Sequence, residues 1–268
     1  MLKVQETRSS LPAASGAGDG FPFLTFWVPF LTFWCHELFR PAGEPLLITK
    51  YGLDVVVGVL LVAASVTLIV WLALDAKLAR YGMAALAGIV VLFTLYFFRD
   101  PDRVTPPGEN LVIAPADGTI VQLLELTEEE YIRGPAVQVS IFMSPLNVHV
   151  NRFPITGTIG LFRHVPGEFL VAYDDKASTR NERTIIGVER GGVKVLFKQI
   201  AGFVARRIVA DLAVGAPAVA GERFGMIKFG SRVDLILPKG AEIRVRNGDK
   251  TIAGETVIAS LPQVGDGR

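Results

Sequence analysis

Gly230-Ser231 is the pair in this sequence whose residue types could do covalent chemistry without an outside group. An alternating run through Met226, Lys228 and Phe229 leads into it, and a second, Val233 to Leu237, leaves it, which puts the pair at a kink between strands. Glycine frees the backbone there. A Ser231 hydroxyl swung back onto the Gly230 carbonyl carbon would make an N→O acyl shift, a step that asks for strained backbone. The plainer reading of a Gly-Ser pair is an ordinary turn. Three histidines limit the choice of base. His149 follows a strongly apolar run ending at Met143, where side chains reach the rim of a barrel; His164 stands beside the Val165-Pro166-Gly167 turn; His36 lies in an aromatic leader. For each, a structural or surface role is the plain alternative. Asp117, between Pro115-Ala116 and Gly118, is a turn-former by default. Read functionally, it orients His149, which takes the proton of Ser231 as the hydroxyl attacks. No second histidine or cysteine stands at ligand spacing from His149 or His164, so no metal site is expected.

The elements that would position these groups divide the 268 residues into three parts. Residues 1–50 begin Ser/Ala/Gly-rich and disordered in character, then repeat Phe-Leu-Thr-Phe-Trp in an aromatic leader suited to a membrane interface. Residues 51–99 carry two uncharged stretches, Val55–Leu74 and Tyr81–Phe98, the first long enough to cross about 30 Å of hydrocarbon. They read as an α-helical membrane hairpin, with two buried core helices as the alternative. A hairpin returns the chain to its starting side. Arg40, Lys50, Arg99 and Arg103 at its outer ends against Lys77 and Arg80 in its loop favour a cytoplasmic catalytic side of the cell (inner) membrane. The single Cys35 excludes an internal disulfide framework. A net charge of +1 without a dense Lys/Arg run argues against nucleic acid.

From residue 100 onward the pattern is short β-type runs broken by Gly and Pro, which predicts a mainly β domain, a compact barrel or sandwich. Gly215 to Gly221-Glu222 is echoed by Gly248 to Gly254-Glu255, which suggests two similar hairpins in a pseudo-symmetric barrel. That form, with Ala114-Pro115-Ala116-Asp117-Gly118, also resembles lipoyl and biotinyl carrier domains. A convincing attachment lysine at a hairpin tip is missing, so the likeness concerns fold. A membrane-anchored, lipoyl-like binding or scaffold module without catalysis is the alternative function.

Taken together, several segments resemble the phosphatidylserine decarboxylase proenzymes of the short bacterial and archaeal type. They are Tyr96 to Pro101, Ala114 to Gly118, Met143 to Arg152, Val165 to Gly167, Lys176 to Ser178, Asn181 to Arg183, Gln199 to Gly202, and Arg223 through Gly230-Ser231 to Asp234. The resemblance implies self-cleavage into chains 1–230 and 231–268 that stay together as a heterodimer, and it leaves room for a homodimer. It implies that Ser231 becomes an N-terminal pyruvoyl group, with no pyridoxal phosphate and no metal. That ketone would take up the amine of phosphatidylserine in the bilayer and accept the electrons freed with carbon dioxide, giving phosphatidylethanolamine. A soluble amino acid as substrate would leave the hairpin without use. Long members carry a pair of histidines three apart, the second serving self-cleavage and the first decarboxylation. This chain has His149 and then Arg152, too basic to serve as that base. The expectation is that His149 covers both steps or that His164 supplies one, and that Arg152 and Arg183 hold the lipid phosphate.

Overall fold

The computed structural model describes residues 48–170, 177–202, 207–210, 212–228 and 231–262. Most of the leader with Cys35 and His36, and the positions of Lys176, Phe229 and Gly230, lie outside the described residues. All described residues fall within one compact unit, Pro45–Arg268.

Two helices come first, α1 (Leu53–Ala73) and α2 (Lys77–Phe97). At 1.5 Å per residue each is about 31 Å long, and both are apolar enough to cross a membrane. Only 11% and 17% of their most apolar windows are buried, which sets aside the core-helix alternative. Apolar side chains such as Leu61, Ile69, Leu72 and Ile89 stand exposed on their flanks. Thr67 and Thr94 donate their hydroxyls to the carbonyls of Ala63 and Val90 one turn back, so neither leaves an unpaired polar group in an apolar helix. The second helix starts four residues before the expected Tyr81, because Lys77 and Arg80 form its first turn at the hairpin tip.

The rest is mainly β, a curled sheet that makes half a barrel. Its first strands are β1 (Leu111–Ile113), β2 (Gly118–Glu128), β3 (Gly134–Met143), β4 (Val150–Arg152), β5 (Gly157–Val165) and β6 (Arg183–Arg190). Then follow β7 (Val193–Ile200), β8 (Arg207–Ala210), β9 (Pro217–Ala218) and β10 (Arg223–Lys228). The chain ends with β11 (Ser231–Pro238), β12 (Glu242–Ile243), β13 (Lys250–Thr251) and β14 (Val257–Ser260). A short helix, α3 (Ala177–Arg180), precedes β6. Sequence reading misses β6, whose Arg183, Glu189 and Arg190 disguise a buried middle of Ile185, Ile186 and Val188.

The main antiparallel sheet runs β13-β2-β3-β11-β7-β6-β5-β9, and that order is a palindrome of two similar halves. Strands β1–β3 with β11–β14 form one half, and β4–β10 form the other, inserted between β3 and β11. The expected echo is one part of this relation. Gly215 and Gly248 share φ near +90° (89° and 91°), and Gly221 and Gly254 share 82° and 81°, left-handed values that favour glycine. Ala220 N donates to Thr156 Oγ1 as Ala253 N donates to Asp117 Oδ1. The relation extends to Ala114-Pro115-Ala116-Asp117-Gly118-Thr119-Ile120 and Phe153-Pro154-Ile155-Thr156-Gly157-Thr158-Ile159. Where the halves meet, Ile113 N donates to Pro154 O and Arg152 N to Pro115 O, a reciprocal pair about a local two-fold. In the inserted half, β6 passes to β7 through the left-handed Gly191-Gly192 turn. The matching junction of the other half, Met143 to Ser231, is the place that holds the whole insertion.

Side chains alternate across the sheet. Val139, Ile141, Val233, Leu235 and Phe197 join the main core on one face, while Leu196 and Ile236 pack with Tyr131 and Ile185 on the other.

Candidate active site

Ser231 opens β11 opposite Met143, the last residue of β3, and is wholly buried. Its hydroxyl donates to the Met143 thioether at 3.3 Å. A thioether is a weak acceptor, so this hydroxyl is positioned without being strongly held. The same sulfur receives Asn151 Nδ2 at 3.7 Å. Behind Asn151 runs a buried polar string: Gln199 Nε2 donates to Asn151 Oδ1 at 2.8 Å, and Thr184 Oγ1 donates to Gln199 Oε1 at 2.8 Å. Asn151, Thr184 and Gln199 stand in segments singled out by sequence or beside them, yet only the fold shows them converging beneath Ser231. Gly225 belongs to this packing, because a Cβ there would strike the Val209 carbonyl of β8 and crowd the Gln199 amide.

His149 reaches the same end of the structure by pairing. Its neighbour Val150 pairs with Met226 of β10, and Ile227 N donates to the His149 carbonyl at 3.4 Å, a few residues before Ser231. The imidazole is buried, packed 4.3 Å from the Phe97 ring at the end of α2, and its Nδ1 bonds the Asn147 carbonyl at 2.9 Å. A carbonyl only accepts, so Nδ1 carries the proton and Nε2 the lone pair. Burial pushes its pKa down to about 4, partly opposed by the bond to Asn147. This histidine is therefore neutral at pH 7 and able to accept a proton.

Asp117 has other partners than those expected of it. Its Oδ1 receives Ala253 N at 2.7 Å and its Oδ2 receives Arg103 at 3.0 Å, whereas His149 is oriented by Asn147. The Ala253 bond is the counterpart of that made by Thr156 in the other half, so it belongs to the repeated turn. Burial raises the Asp117 pKa, opposed by the Ala253 amide and by Arg103.

Arg152 likewise departs from the expected role of phosphate holder. Buried, it gives NH1 to the Gly221 carbonyl and NH2 to Asp100 and the Pro101 carbonyl, while Arg223 takes the other Asp100 oxygen at 2.6 Å. These pairs clasp the segment that leaves α2 to the ends of β4 and β10. Arg183 donates to the carbonyls of Thr179 and Asn181. It pairs with Ile200, one step from Gln199, and so faces the opposite side of the sheet from Ser231. His164 is half exposed and bonds Glu182 Oε1 at 3.0 Å.

On that opposite side Arg232 is wholly buried, with Nε 2.6 Å from Asp234 and NH2 2.8 Å from both Gln122 and Ser140. A cavity of about 590 Å³ opens there, lined by Gln122, Gln138, Ser178, Lys198 and Ile236 among others. It lies across the sheet from Ser231, and the chemistry argues for the Ser231 side. Among the described residues no group of three or more His, Cys, Asp or Glu is placed to hold a metal ion.

Sequence reasoning missed Lys228. Its ammonium is 3.2 Å from Asp54 at the start of α1, and its side chain is 6% exposed. The alternation of β10 marks it only as one side of a strand; nothing in the sequence ties it to a residue of the hairpin.

Residues 90–259 match the model of the phosphatidylserine decarboxylase family. A phosphatidylserine decarboxylase proenzyme of Chlorobium phaeovibrioides is 48% identical over 215 residues, covering 80% of this chain and 97% of the relative. One from Salinibacter ruber is 48% identical over 198 residues, 72% of this chain and 87% of the relative. One from Chlorobaculum tepidum is 52% identical over 169 residues, 63% and 77% of the two chains. The matched span holds α2's end, the arginine clasp, His149 and Ser231 alike, and the chain belongs to the phosphatidylserine decarboxylase family and is a decarboxylase.

Proposed function

We propose that the chain cuts itself between Gly230 and Ser231 and then decarboxylates phosphatidylserine to phosphatidylethanolamine and carbon dioxide, with a pyruvoyl group made from Ser231. The observation that carries this reading is Ser231 itself: buried, first in its strand, its hydroxyl on a weak acceptor, at the same end of the sheet as a neutral histidine.

In the first step Ser231 Oγ attacks the Gly230 carbonyl carbon while His149 Nε2 takes the hydroxyl proton; the peptide C–N bond gives way to an ester C–O bond. Loss of the Ser231 α-proton then expels Gly230 as a carboxylate. The dehydroalanine left at 231 takes up water and releases ammonia, which leaves the ketone. These surroundings fit such a group, because residue 231 is buried, is paired with Met143 of β3, and is followed directly by Arg232, which is paired on both sides. Once formed, it supplies the electron sink for loss of carbon dioxide. His149 can hold the proton that returns to the substrate α-carbon. The exposed apolar flanks of α1 and α2 suit a substrate that stays in the bilayer, with the β domain on the cytoplasmic face of the inner membrane.

Intact mass tests this reading. Residues 231–268 are expected as a separate piece of about 4 kDa by their share of the 29.0 kDa chain, lighter by one ammonia than plain hydrolysis leaves. Ser231→Ala is expected to stay at full length and to release no carbon dioxide from phosphatidylserine vesicles. A wild-type chain that also stays intact favours the non-catalytic, lipoyl-like module.

A further inference from the structure

The hairpin and the β domain meet at a small charged junction. Asp54, in the first turn of α1, receives Lys228 on one carboxylate oxygen at 3.2 Å and faces Arg207 across 3.7 Å from the other. Two cations thus share one carboxylate. Lys228 ends β10 with its ammonium 5.8 Å over the Phe98 ring, while Arg207 pairs with it in register at the start of β8 and stands 70% exposed. The junction lies where the apolar helices leave the β domain. A bilayer around their exposed flanks puts its phosphates at this level.

Before the cut, three residues of chain hold Lys228 within about 10 Å of Ser231, and after it strand pairing keeps each in place, Lys228 against Arg207 of β8 and residue 231 against Met143 of β3. Four bonds separate the phosphorus of a phosphoserine headgroup from its amine nitrogen. A phosphate anchored at Lys228 therefore delivers the amine toward residue 231. The arginines expected to do this from sequence are committed elsewhere: Arg152 to Asp100 and two carbonyls inside the clasp, Arg183 on the other side of the sheet.

We propose that Lys228 and Arg207 form the subsite for the phosphodiester of the lipid substrate, and that Asp54 is the internal counterion that holds the Lys228 ammonium in place until the phosphate arrives. The proposal rests on the reading of the chain as a phosphatidylserine decarboxylase and names where that substrate is gripped. A desolvated ammonium with one carboxylate partner retains donors for an anion, and Arg207 adds a planar fork suited to phosphate oxygens. Asp54 restrains the lysine and competes with the ligand, which sets its substitution apart from those of the two cations.

The test uses the full-length processed enzyme in vesicles of phosphatidylserine diluted in a neutral lipid, with soluble glycerophosphoserine as a competing probe. Lys228→Gln and Arg207→Gln are expected to raise KM about tenfold or more with kcat within a few-fold, the loss of one charge-assisted hydrogen bond. Inhibition by glycerophosphoserine should weaken in parallel. Asp54→Asn removes the carboxylate that competes with the phosphate and is expected to lower KM. Should Lys228→Gln impair self-cleavage, Arg207→Gln carries the test, since β8 lies outside the processed segment. The idea is overturned if KM for both cation variants matches wild type, or if Asp54→Asn raises KM as much as Lys228→Gln with an equal loss of thermal stability, the behaviour of a simple strut. A wild-type chain that neither yields the small fragment nor releases carbon dioxide overturns instead the functional reading beneath it.

Discussion

His149 shows how one residue's surroundings set its chemistry. In the folded protein its pKa lies near 4, against about 6.5 in an unfolded chain, because burial against Phe97 disfavours the charged ring. Between those values the unfolded chain binds the extra proton, so stability is fully present above pH 6.5 and falls as pH drops toward 4. The loss attached to this one group is about 3 kcal/mol. Urea denaturation of wild type and His149→Gln across that window should show the difference, with the variant lacking this component. The same shift predicts that self-cleavage holds its rate down to pH values where an ordinary histidine is already protonated. A processing rate that halves near pH 6.5 would contradict the assignment of His149 as the base.

At the scale of elements, buried ion pairs fix how segments meet. Arg232 joins β11 to β2 and β3 through Asp234, Gln122 and Ser140, and all of its polar partners lie on the face away from Ser231. Arg232→Ala leaves the Asp234 carboxylate buried beside a gap, and a loss of about 3–5 kcal/mol is expected in chemical denaturation. Asp100 plays the corresponding part in the clasp between α2 and the β domain, lying between Arg152 and Arg223. Asp100→Ala should cost a similar amount and loosen the segment after the hairpin, detectable as faster amide exchange or proteolysis around residues 100–104. The sequence marks Arg152 as chemically interesting because of its company, His149 and Asn151. Its guanidinium turns out to serve the architecture, since three acceptors from two distant segments converge on it.

For the whole molecule, the proposed division at Gly230-Ser231 falls where the inserted half ends and the first half resumes. The small chain would then consist of β11–β14, with β11 inside the main sheet between β3 and β7. Eight residues of β11 pair with β3 and five with β7, and Val233, Leu235, Ile236 and Leu237 are buried. Burial of each such side chain contributes about 1.5–3 kcal/mol. Cleaved chains should therefore run together on size exclusion in mild detergent and separate only in denaturant. Early separation without denaturant would show that the pairing of β11 does not hold the halves.

Local signals in the sequence determined the apolar helices and most of the strands, and they marked the Gly230-Ser231 pair on which the proposed cleavage rests. Uncharged length, alternation and a Gly-Ser junction are properties of neighbouring residues, and these need no partner to be read. The glycine echo from Gly215 and Gly248 was legible for the same reason, since left-handed turns restrict residue type locally. Tertiary structure alone decided which distant side chains share a partner. Asp117 went to Arg103 and a repeated turn, His149 to Asn147 and Phe97, Arg152 to Asp100, and Lys228 to Asp54 from 174 positions away. An ion or hydrogen-bond pair depends on separation in space, and only the pairing of strands across an inserted half sets that separation here.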